Sequence, residues 1–101
     1  MNIEFTARHF NAPGNLKEYA HDEVLKLERH FQRIIQCQVI LSHENNLYTT
    51  EINLSIPKRK LNVKESTDNV TKSIDRAVSK MAGRLSKYKG ELYQNIQIPK
   101  N

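Results

Sequence analysis

The N-terminal segment of the chain alternates apolar and polar residues. Ile3, Phe5 and Ala7 occupy every second position, which is the pattern of a β-strand with one buried face. The turn-forming residues 11–15 follow, and Pro13 among them suits the first turn of a helix. We therefore predict a strand over the first residues and the start of a helix after it.

The second segment has the period of a helix. Apolar residues recur at steps of three and four from Leu16 to Phe31, so that one side of the helix is apolar along its whole length. These residues are Leu16, Ala20, Val24, Leu27 and Phe31. The pattern predicts a first helix that continues to about Arg33.

Two further stretches alternate with a period of two, from Cys37 to Leu41 and from Tyr48 to Ile56. The polar break at residues 44–46 between them predicts a hairpin. Cys37 is the single cysteine of the chain, which excludes an internal disulfide. We expect it to be a buried, reduced thiol.

A fourth strand is predicted after Pro57, which ends the third because it has no N–H to donate to a strand ladder. We predict that residues 58–60, Lys-Arg-Lys, form an exposed turn. Leu61 and Val63 then indicate a shorter strand.

The C-terminal third of the chain contains the strongest helical pattern. Residues 66–69 supply several capping side chains ahead of an apolar series at steps of three and four. The series is Val70, Ile74, Ala77, Met81, Leu85, Tyr88 and Leu92. Gly83 and Gly90 weaken this second helix slightly. We expect residues 94–101 to form a short irregular tail.

The predicted order of elements is β-α-β-β-β-α. Each helix has one apolar face, so both can pack on the same face of a four-stranded, largely antiparallel sheet. This is a two-layer α+β sandwich similar to double-stranded-RNA-binding domains. A chain of 101 residues is long enough for one such domain, which we assign to residues 1–93.

The distribution of charge is more informative than its total. The chain has 16 Lys and Arg against 11 Asp and Glu, a net charge of +5, which alone favours a polyanionic partner only weakly. On each predicted helix, however, cations follow one another at steps of three and four beside the apolar face. They are Lys72, Arg76, Lys80, Arg84 and Lys87 on helix two, with Lys89 beyond them, and Lys26, Arg29 and Arg33 on helix one. We predict that the two sets border one positive channel between the helices, flanked by residues 58–60, that follows a phosphate backbone.

Ordinary surface charge and membrane binding account for this pattern less well. Cations near helix C-termini, such as Lys87 and Lys89, are also common surface residues, but that does not account for rows on two helices. A membrane surface is the other polyanion, but the apolar faces are needed for the core. No apolar run approaches the roughly 20 residues of a membrane span, and the N-terminus does not have the pattern of a secretory signal. The sequence therefore favours a cytoplasmic protein that binds RNA rather than lipid.

We find no sequence motif for catalysis or metal binding. The four histidines are scattered, without helical pairing or cysteine partners. Neither a glycine-rich phosphate loop nor a nucleophile elbow is present. We expect no enzymatic activity, cofactor, metal or small-molecule substrate. Because exposed aromatic candidates for base stacking are few, chiefly Tyr48 and Tyr93, we expect recognition of backbone geometry rather than base identity.

Two motifs resemble the ribosome hibernation factors, a family that includes the short hibernation-promoting factor and the ribosome-associated translation inhibitor. Residues 73–89, SIDRAVSKMAGRLSKYK, are similar to the family's second-helix pattern of Ala-Ile-Asp, Lys-Leu, Arg-Gln-Leu and Lys-x-Lys. Residues 26–31, KLERHF, resemble its Lys-Leu-Glu followed by an aromatic residue. The chain departs from the family at residues 69–71, where Asn-Val-Thr replaces the Asp-Met-Tyr of many members, and lacks the glutamine expected after Arg84.

The resemblance implies the β-α-β-β-β-α fold and binding to the small ribosomal subunit, with its 16S rRNA, in the channel for messenger and transfer RNA. Translation would then stop under stress or in stationary phase, and ribosomes would hibernate. The basic residues that match the family are Lys26, Arg29, Arg33, Lys80, Arg84, Lys87 and Lys89, whereas Arg76 is assigned from the helical pattern alone. The resemblance also implies a short form, monomeric off the ribosome, that needs a second factor for ribosome dimerisation.

Two other functions stay open on the sequence. A general double-stranded RNA-binding module would use a similar α/β core. A protein-binding regulator of transcription would act without RNA. Equal affinity for free duplex RNA would favour the first, and binding that neither salt nor RNA weakens would favour the second.

Overall fold

A computed structural model describes the backbone of residues 1–97 and the side chains of residues 1–91. The strands are β1 (Asn2–Arg8), β2 (Gln36–Glu44), β3 (Leu47–Ile56) and β4 (Arg59–Thr67). The helices are α1 (Gly14–Leu25) and α2 (Val70–Gln97), and a short 3₁₀ helix (Lys26–Arg29) follows α1. The predicted order β-α-β-β-β-α is therefore confirmed.

The four strands form one mixed sheet in the order β1-β2-β3-β4. β1 and β2 are parallel, and the other two pairs are antiparallel. Parallel neighbours need a crossover connection, which α1 and the 3₁₀ helix supply. α2 packs over β3 and β4, so β4 forms one edge of the sheet beside this helix.

The β2–β3 hairpin turns on two asparagines. Asn45 and Asn46 have φ angles of 53° and 63°, and a two-residue turn with positive φ at both central positions is the type I′ turn that suits the twist of paired strands. Asparagine tolerates this region better than most residues. The predicted polar break is thus the hairpin turn.

The β3–β4 turn is shorter than predicted. Only Pro57 and Lys58 lie between the strands, because Arg59 already pairs with Ile56. Proline fixes the first turn position, and Lys58 has a φ of 67° at the second, a combination that type II turns favour. The prediction of an exposed turn over residues 58–60 is therefore wrong for Arg59 and Lys60. β4 also has 9 residues, as many as β2, and is not a short strand.

The first helix ends earlier than predicted. α1 stops at Leu25 and the 3₁₀ helix at Arg29, where the His30 N–H bonds the Leu27 carbonyl at 2.9 Å. The chain leaves the helical path because Ile34 is buried in the core and Ile35 donates its N–H to the backbone carbonyl of Ser55 in β3 at 2.8 Å. Arg33 therefore lies in a loop rather than on the helix.

One hydrophobic core fills the space between the sheet and the helices. It includes Leu27, Val39, Ile52, Met81 and Leu85. Cys37 belongs to the same core, as predicted, and burial raises the pKa of its thiol to about 12.

A pair of buried hydroxyl groups joins β3 to α2. The Ser73 hydroxyl donates to the Val70 carbonyl at 2.7 Å and also lies 2.7 Å from the Thr50 hydroxyl. Because a hydroxyl has one proton to donate, Thr50 is the donor to Ser73. Both groups are fully buried, so this pair fixes the start of α2 against the sheet.

α2 begins with a side-chain cap and continues past the predicted end of the domain. Asn69 Oδ1 accepts the backbone N–H of Lys72 at 2.9 Å, which satisfies one of the free donors of the first turn. The helix runs to Gln97, because residues 91–97 contain neither proline nor glycine. The expected irregular tail is therefore wrong for residues 94–97, and residues 98–101 lie outside the described residues.

The exposed Gly83 in the middle of α2 can be replaced to stabilise the protein. A methyl group added there meets no atom within 4 Å, and alanine loses less backbone freedom than glycine when it joins a helix. We expect Gly83→Ala to raise the free energy of unfolding by about 0.5–1 kcal/mol. Urea denaturation followed by circular dichroism measures this change, and an unchanged or lower midpoint contradicts it.

Candidate RNA-binding surface

All eight cationic residues predicted for the site are exposed, and none of them belongs to the sheet. Five lie on α2, two in the 3₁₀ helix and one in the loop that follows it. In chain order they are Lys26, Arg29, Arg33, Arg76, Lys80, Arg84, Lys87 and Lys89. The neighbours of α2 decide which of them share a surface.

The flank of α2 that faces the first helix makes its contacts through an acidic residue and a hydroxyl group. Tyr19 of α1 donates a hydrogen bond to the Asp75 carboxylate, and Ser86 Oγ lies 3.3 Å from His30 Nδ1. Asp75 and Ser86 are eleven residues apart, about three helical turns, so they lie on one flank. This flank presents a carboxylate and a hydroxyl group to the neighbouring elements.

The Tyr19–Asp75 contact keeps the tyrosine protonated. Hydrogen bonding to the Asp75 carboxylate raises the pKa of Tyr19 to about 12, and partial burial adds to the effect. Loss of the phenol proton would place two negative charges together. Tyr19 is therefore a neutral donor at physiological pH, and its hydrogen bond occupies the Asp75 carboxylate of α2.

The opposite flank of α2 lies along the edge strand β4. Lys80 Nζ is 3.0 Å from Glu65 Oε2, and Arg84 Nη1 donates to the Asn62 carbonyl at 3.0 Å. Both acceptors belong to β4. The C-terminal half of the basic series therefore points away from α1, toward the edge of the sheet.

The predicted positive channel between the two helices is therefore wrong for Lys80 and Arg84, which contact β4. The five cations Lys72, Arg76, Lys80, Arg84 and Lys87, here called the α2 stripe, are spaced mainly by four residues. Four residues exceed one turn, so each such step rotates the series by about 40° around the axis. The α2 stripe consequently slants across the exposed side of the helix, from the outer side at Lys72 to the β4 edge at Arg84.

Three of the remaining predicted cations, Arg29, Arg33 and Lys89, lie in or next to the elements around His30 and are here called the turn cluster. Lys89 is three residues beyond Ser86 and thus near the flank that contacts His30. Arg29 immediately precedes His30, and Arg33 lies in the following loop. Lys26 is close by in sequence, and its Nζ lies 2.8 Å from Glu23 Oε2, much as Lys80 Nζ lies 3.0 Å from Glu65 Oε2.

Arg59, which the sequence analysis placed in a turn flanking the predicted channel, instead lies in β4 beside α2. Its Cζ lies 4.9 Å from the centre of the Tyr88 ring, within cation–π distance. Arg59, Arg84 and Lys87 also line one cavity beside α2. The signal was present in the sequence, because Arg59 is two residues before the buried Leu61 and therefore on the helix-facing side of β4.

The other face of the sheet is polar and mixed in charge. Asn53 Nδ2 donates to Gln38 Oε1 at 3.1 Å, and Asn62 Nδ2 donates to Glu51 Oε2 at 2.8 Å. Lys60 and Lys64 lie on this face by strand alternation. Here amide groups and carboxylates separate the cations, whereas the α2 stripe is a row of five cations in which Lys80 contacts a carboxylate, that of Glu65.

Of the two tyrosines expected to be available for base stacking, Tyr48 and Tyr93, the structure describes the side chain of Tyr48. Tyr48 stacks on the ring of His43 at 4.0 Å and also contacts Phe10 edge to face at 5.8 Å. It is partly buried and already has two aromatic neighbours. The Tyr93 side chain lies outside the described residues.

Two further observations concern other kinds of site. Across residues 1–97, no helix combines the length and the apolar character that crossing a membrane requires. The part of the chain that the structure describes also contains no group of three or more His, Cys, Asp or Glu side chains that could hold a metal ion.

Fold and surface together define a small β-α-β-β-β-α domain with a cationic helical layer. The chain belongs to the family described as Sigma 54 modulation protein / S30EA ribosomal protein, whose model matches residues 3–93. The resemblance to the ribosome hibernation factors is thereby confirmed at the level of the family.

Solved structures support the same fold. The N-terminal domain of Protein Y from Thermus thermophilus superposes with a TM-score of 0.79 at 23% identity, over 87% of this chain and 99% of that one. A ribosomal subunit interface protein from Coxiella burnetii superposes with a TM-score of 0.84 at 21% identity, over 89% of this chain and 99% of that one. A comparison with curated protein sequences gave no match.

Proposed function

We propose that this chain binds the 16S rRNA of the small ribosomal subunit through the α2 stripe and inhibits translation. The observation that supports this proposal is the stripe itself. Its five exposed cations extend over residues 72–87 of one helix, 15 helical steps or roughly 22 Å at 1.5 Å per residue. Such a row matches the repeated negative charge of an RNA backbone, and contacts to phosphates supply affinity without reading sequence.

Membership of the family supports the ribosome as the target. The family description names a ribosomal protein, and the Coxiella relative is described as a ribosomal subunit interface protein. Occupancy of the channel for messenger and transfer RNA would exclude both ligands and stop translation. We propose that this occurs in the cytoplasm under stress or in stationary phase and promotes ribosome hibernation.

The turn cluster provides a second contact on the same helical layer. Because Arg29 and Lys89 lie beside the flank opposite Arg84, the two groups approach RNA from two sides of α2. We propose that the two groups of cations hold two segments of folded rRNA, rather than one strand in a groove between the helices. Arg33, in the loop, would extend the second contact, and residues 1–93 would form the whole ribosome-binding domain.

The mechanism requires binding and no chemical step. Shape and charge of the domain would block the channel by occupancy, without a bound cofactor or a small-molecule substrate. Regulation would then follow from the amount of protein and from competition with messenger and transfer RNA. A loss of inhibition when these ligands are in excess is the natural consequence.

Two alternative functions are separable by experiment. The family description also names modulation of sigma 54, which corresponds to a protein-binding regulator of transcription. A general double-stranded RNA-binding module is the other alternative, because its α/β core is similar. The concentration of charge on α2 favours RNA over a protein partner.

Co-sedimentation with purified small subunits in sucrose gradients tests the proposal. We expect the protein to sediment with empty subunits at low salt, to dissociate as salt rises, and to be displaced by bound messenger and initiator transfer RNA. Binding that persists when both ligands are bound contradicts the assignment to the channel. Equal affinity for free duplex RNA would indicate the general module, and binding that salt and RNA leave unchanged would indicate a protein partner.

A further inference from the structure

A small cavity at the β4 edge gathers three cations around an aromatic ring. Its volume is about 280 Å³, and it is lined by Arg59, Leu61, Arg84, Lys87, Tyr88 and Glu91. β4 supplies the first two of these residues, and α2 supplies the other four. The cavity therefore exists only where the end of the α2 stripe meets the start of β4.

The two arginines of this cavity are held in place by contacts that leave donors free. Tyr88 supports the guanidinium of Arg59 at 4.9 Å from the ring centre. The Arg84 guanidinium uses Nη1 for the Asn62 carbonyl at 3.0 Å. A guanidinium has five N–H donors, so each arginine can still bind an oxyanion in a defined orientation.

Glu91 is the internal competitor for this site. Its Oε1 lies 3.8 Å from Arg59 Nη1, which is an ion-pair distance but longer than a hydrogen bond. Both side chains are 50% exposed. A pair of this kind is weak in water, so a phosphate that binds Arg59, Arg84 and Lys87 together can replace the carboxylate.

We propose that this cavity is a phosphate-binding pocket, that Arg59 is a direct ligand of an RNA backbone phosphate, and that Glu91 occupies the site when RNA is absent. The proposal rests on the proposed function, because it places one phosphate of the bound RNA at the β4 end of the α2 stripe. It adds a residue that lies outside the helices. It also assigns a negative side chain a role in limiting affinity.

Affinity measurements with neighbouring variants test the pocket. Arg59→Gln is expected to weaken binding to small subunits about tenfold, the effect of one charge-assisted contact, and to lower the slope of log affinity against log salt by about one. Lys60→Gln is the matched control, because it removes the same charge one residue away on the other face of the sheet. We expect the control to change affinity by less than about twofold, since exposed charges act weakly at a distance.

Glu91→Gln provides the opposite test. It is expected to strengthen binding about threefold, because the competitor of the phosphate is removed. The gain should disappear in the variant that combines Glu91→Gln with Arg59→Gln. Equal effects of Arg59→Gln and Lys60→Gln, or an unchanged gain in the combined variant, overturn the proposal.

A direct titration separates the pocket from the ribosomal target. Inorganic phosphate added to the isolated chain is expected to shift the Nε–Hε resonances of Arg59 and Arg84 in NMR spectra. In Arg59→Gln, the Arg84 resonance is expected to shift less than it does in the original chain. If these resonances do not respond to phosphate, the pocket is not a phosphate site. If they respond while the protein fails to bind subunits, the pocket stands and the ribosomal function falls.

Discussion

Charge reversal of the α2 stripe is expected to reduce affinity for the small ribosomal subunit about a thousandfold. The variant combines Arg76→Glu, Arg84→Glu and Lys87→Glu. Each substitution removes a phosphate contact of about 1.5–3 kcal/mol and adds repulsion, and neighbouring contacts in one row add incompletely. Filter binding or gradient sedimentation at fixed low salt measures the loss.

A second triple variant controls for total charge. Arg8, Lys60 and Lys64 are exposed and lie on the open face of the sheet by strand alternation. Their replacement by glutamate changes the net charge by the same amount as the stripe variant. If the α2 stripe is the contact surface, the control retains affinity within about tenfold, because only long-range attraction is lost.

Two results of this comparison contradict the assignment. Equal losses in the two variants would show that net charge rather than the stripe determines binding. Retention of affinity in the stripe variant would place the contact elsewhere on the molecule. Circular dichroism must show that both variants are folded, which we expect because all six residues are exposed.

The order of the elements was predictable because local patterns determine it. Strand alternation and helical periodicity gave all six elements, and the Asn45–Asn46 pair marked a turn whose positive φ angles asparagine accepts. The cap of α2 is an equally local interaction, since Asn69 Oδ1 accepts the backbone N–H of Lys72 within one turn. Each of these features depends on residues close together in the sequence.

The placement of the cations was not predictable to the same degree. Periodicity places a residue on one side of its own helix, but it does not say which neighbour that side meets. The α2 stripe meets β4 rather than α1 because α2 packs over β3 and β4, and because a four-residue spacing drifts around the axis. The Arg84–Asn62 and Tyr19–Asp75 contacts, which reveal this, join residues far apart in the chain.

Arg59 illustrates how strongly a site depends on strand register. A three-residue turn over positions 58–60 would place Arg59 in solvent, whereas the two-residue turn at Pro57 and Lys58 makes it the first residue of β4, paired with Ile56. A shift of one residue exchanges the two faces of a strand. The same alternation that buries Leu61 and Val63 then directs Arg59 to α2.

Substitution of Leu85 by alanine is expected to reduce stability strongly without altering charge. Leu85 is 0% exposed and belongs to the core, although its neighbour Arg84 is in the α2 stripe. Removal of a buried leucine side chain costs about 2–5 kcal/mol because a cavity remains, a large part of the roughly 5–15 kcal/mol that stabilises a typical domain. We expect the thermal midpoint to fall by roughly 15 °C for a loss of about 3 kcal/mol. Thermal and urea denaturation measure the change.

Leu47→Ala is the matched control, because Leu47 is 45% exposed beside the β2–β3 turn; it should change stability by less than about 0.5 kcal/mol. A loss below about 1 kcal/mol in Leu85→Ala would contradict the packing of α2 on the sheet.

At a temperature where Leu85→Ala is fully folded, its affinity for small subunits should stay within about threefold of the original, since every stripe cation is retained. A loss of affinity as large as that of the stripe variant would mean that the shape of α2, rather than its charge, determines binding.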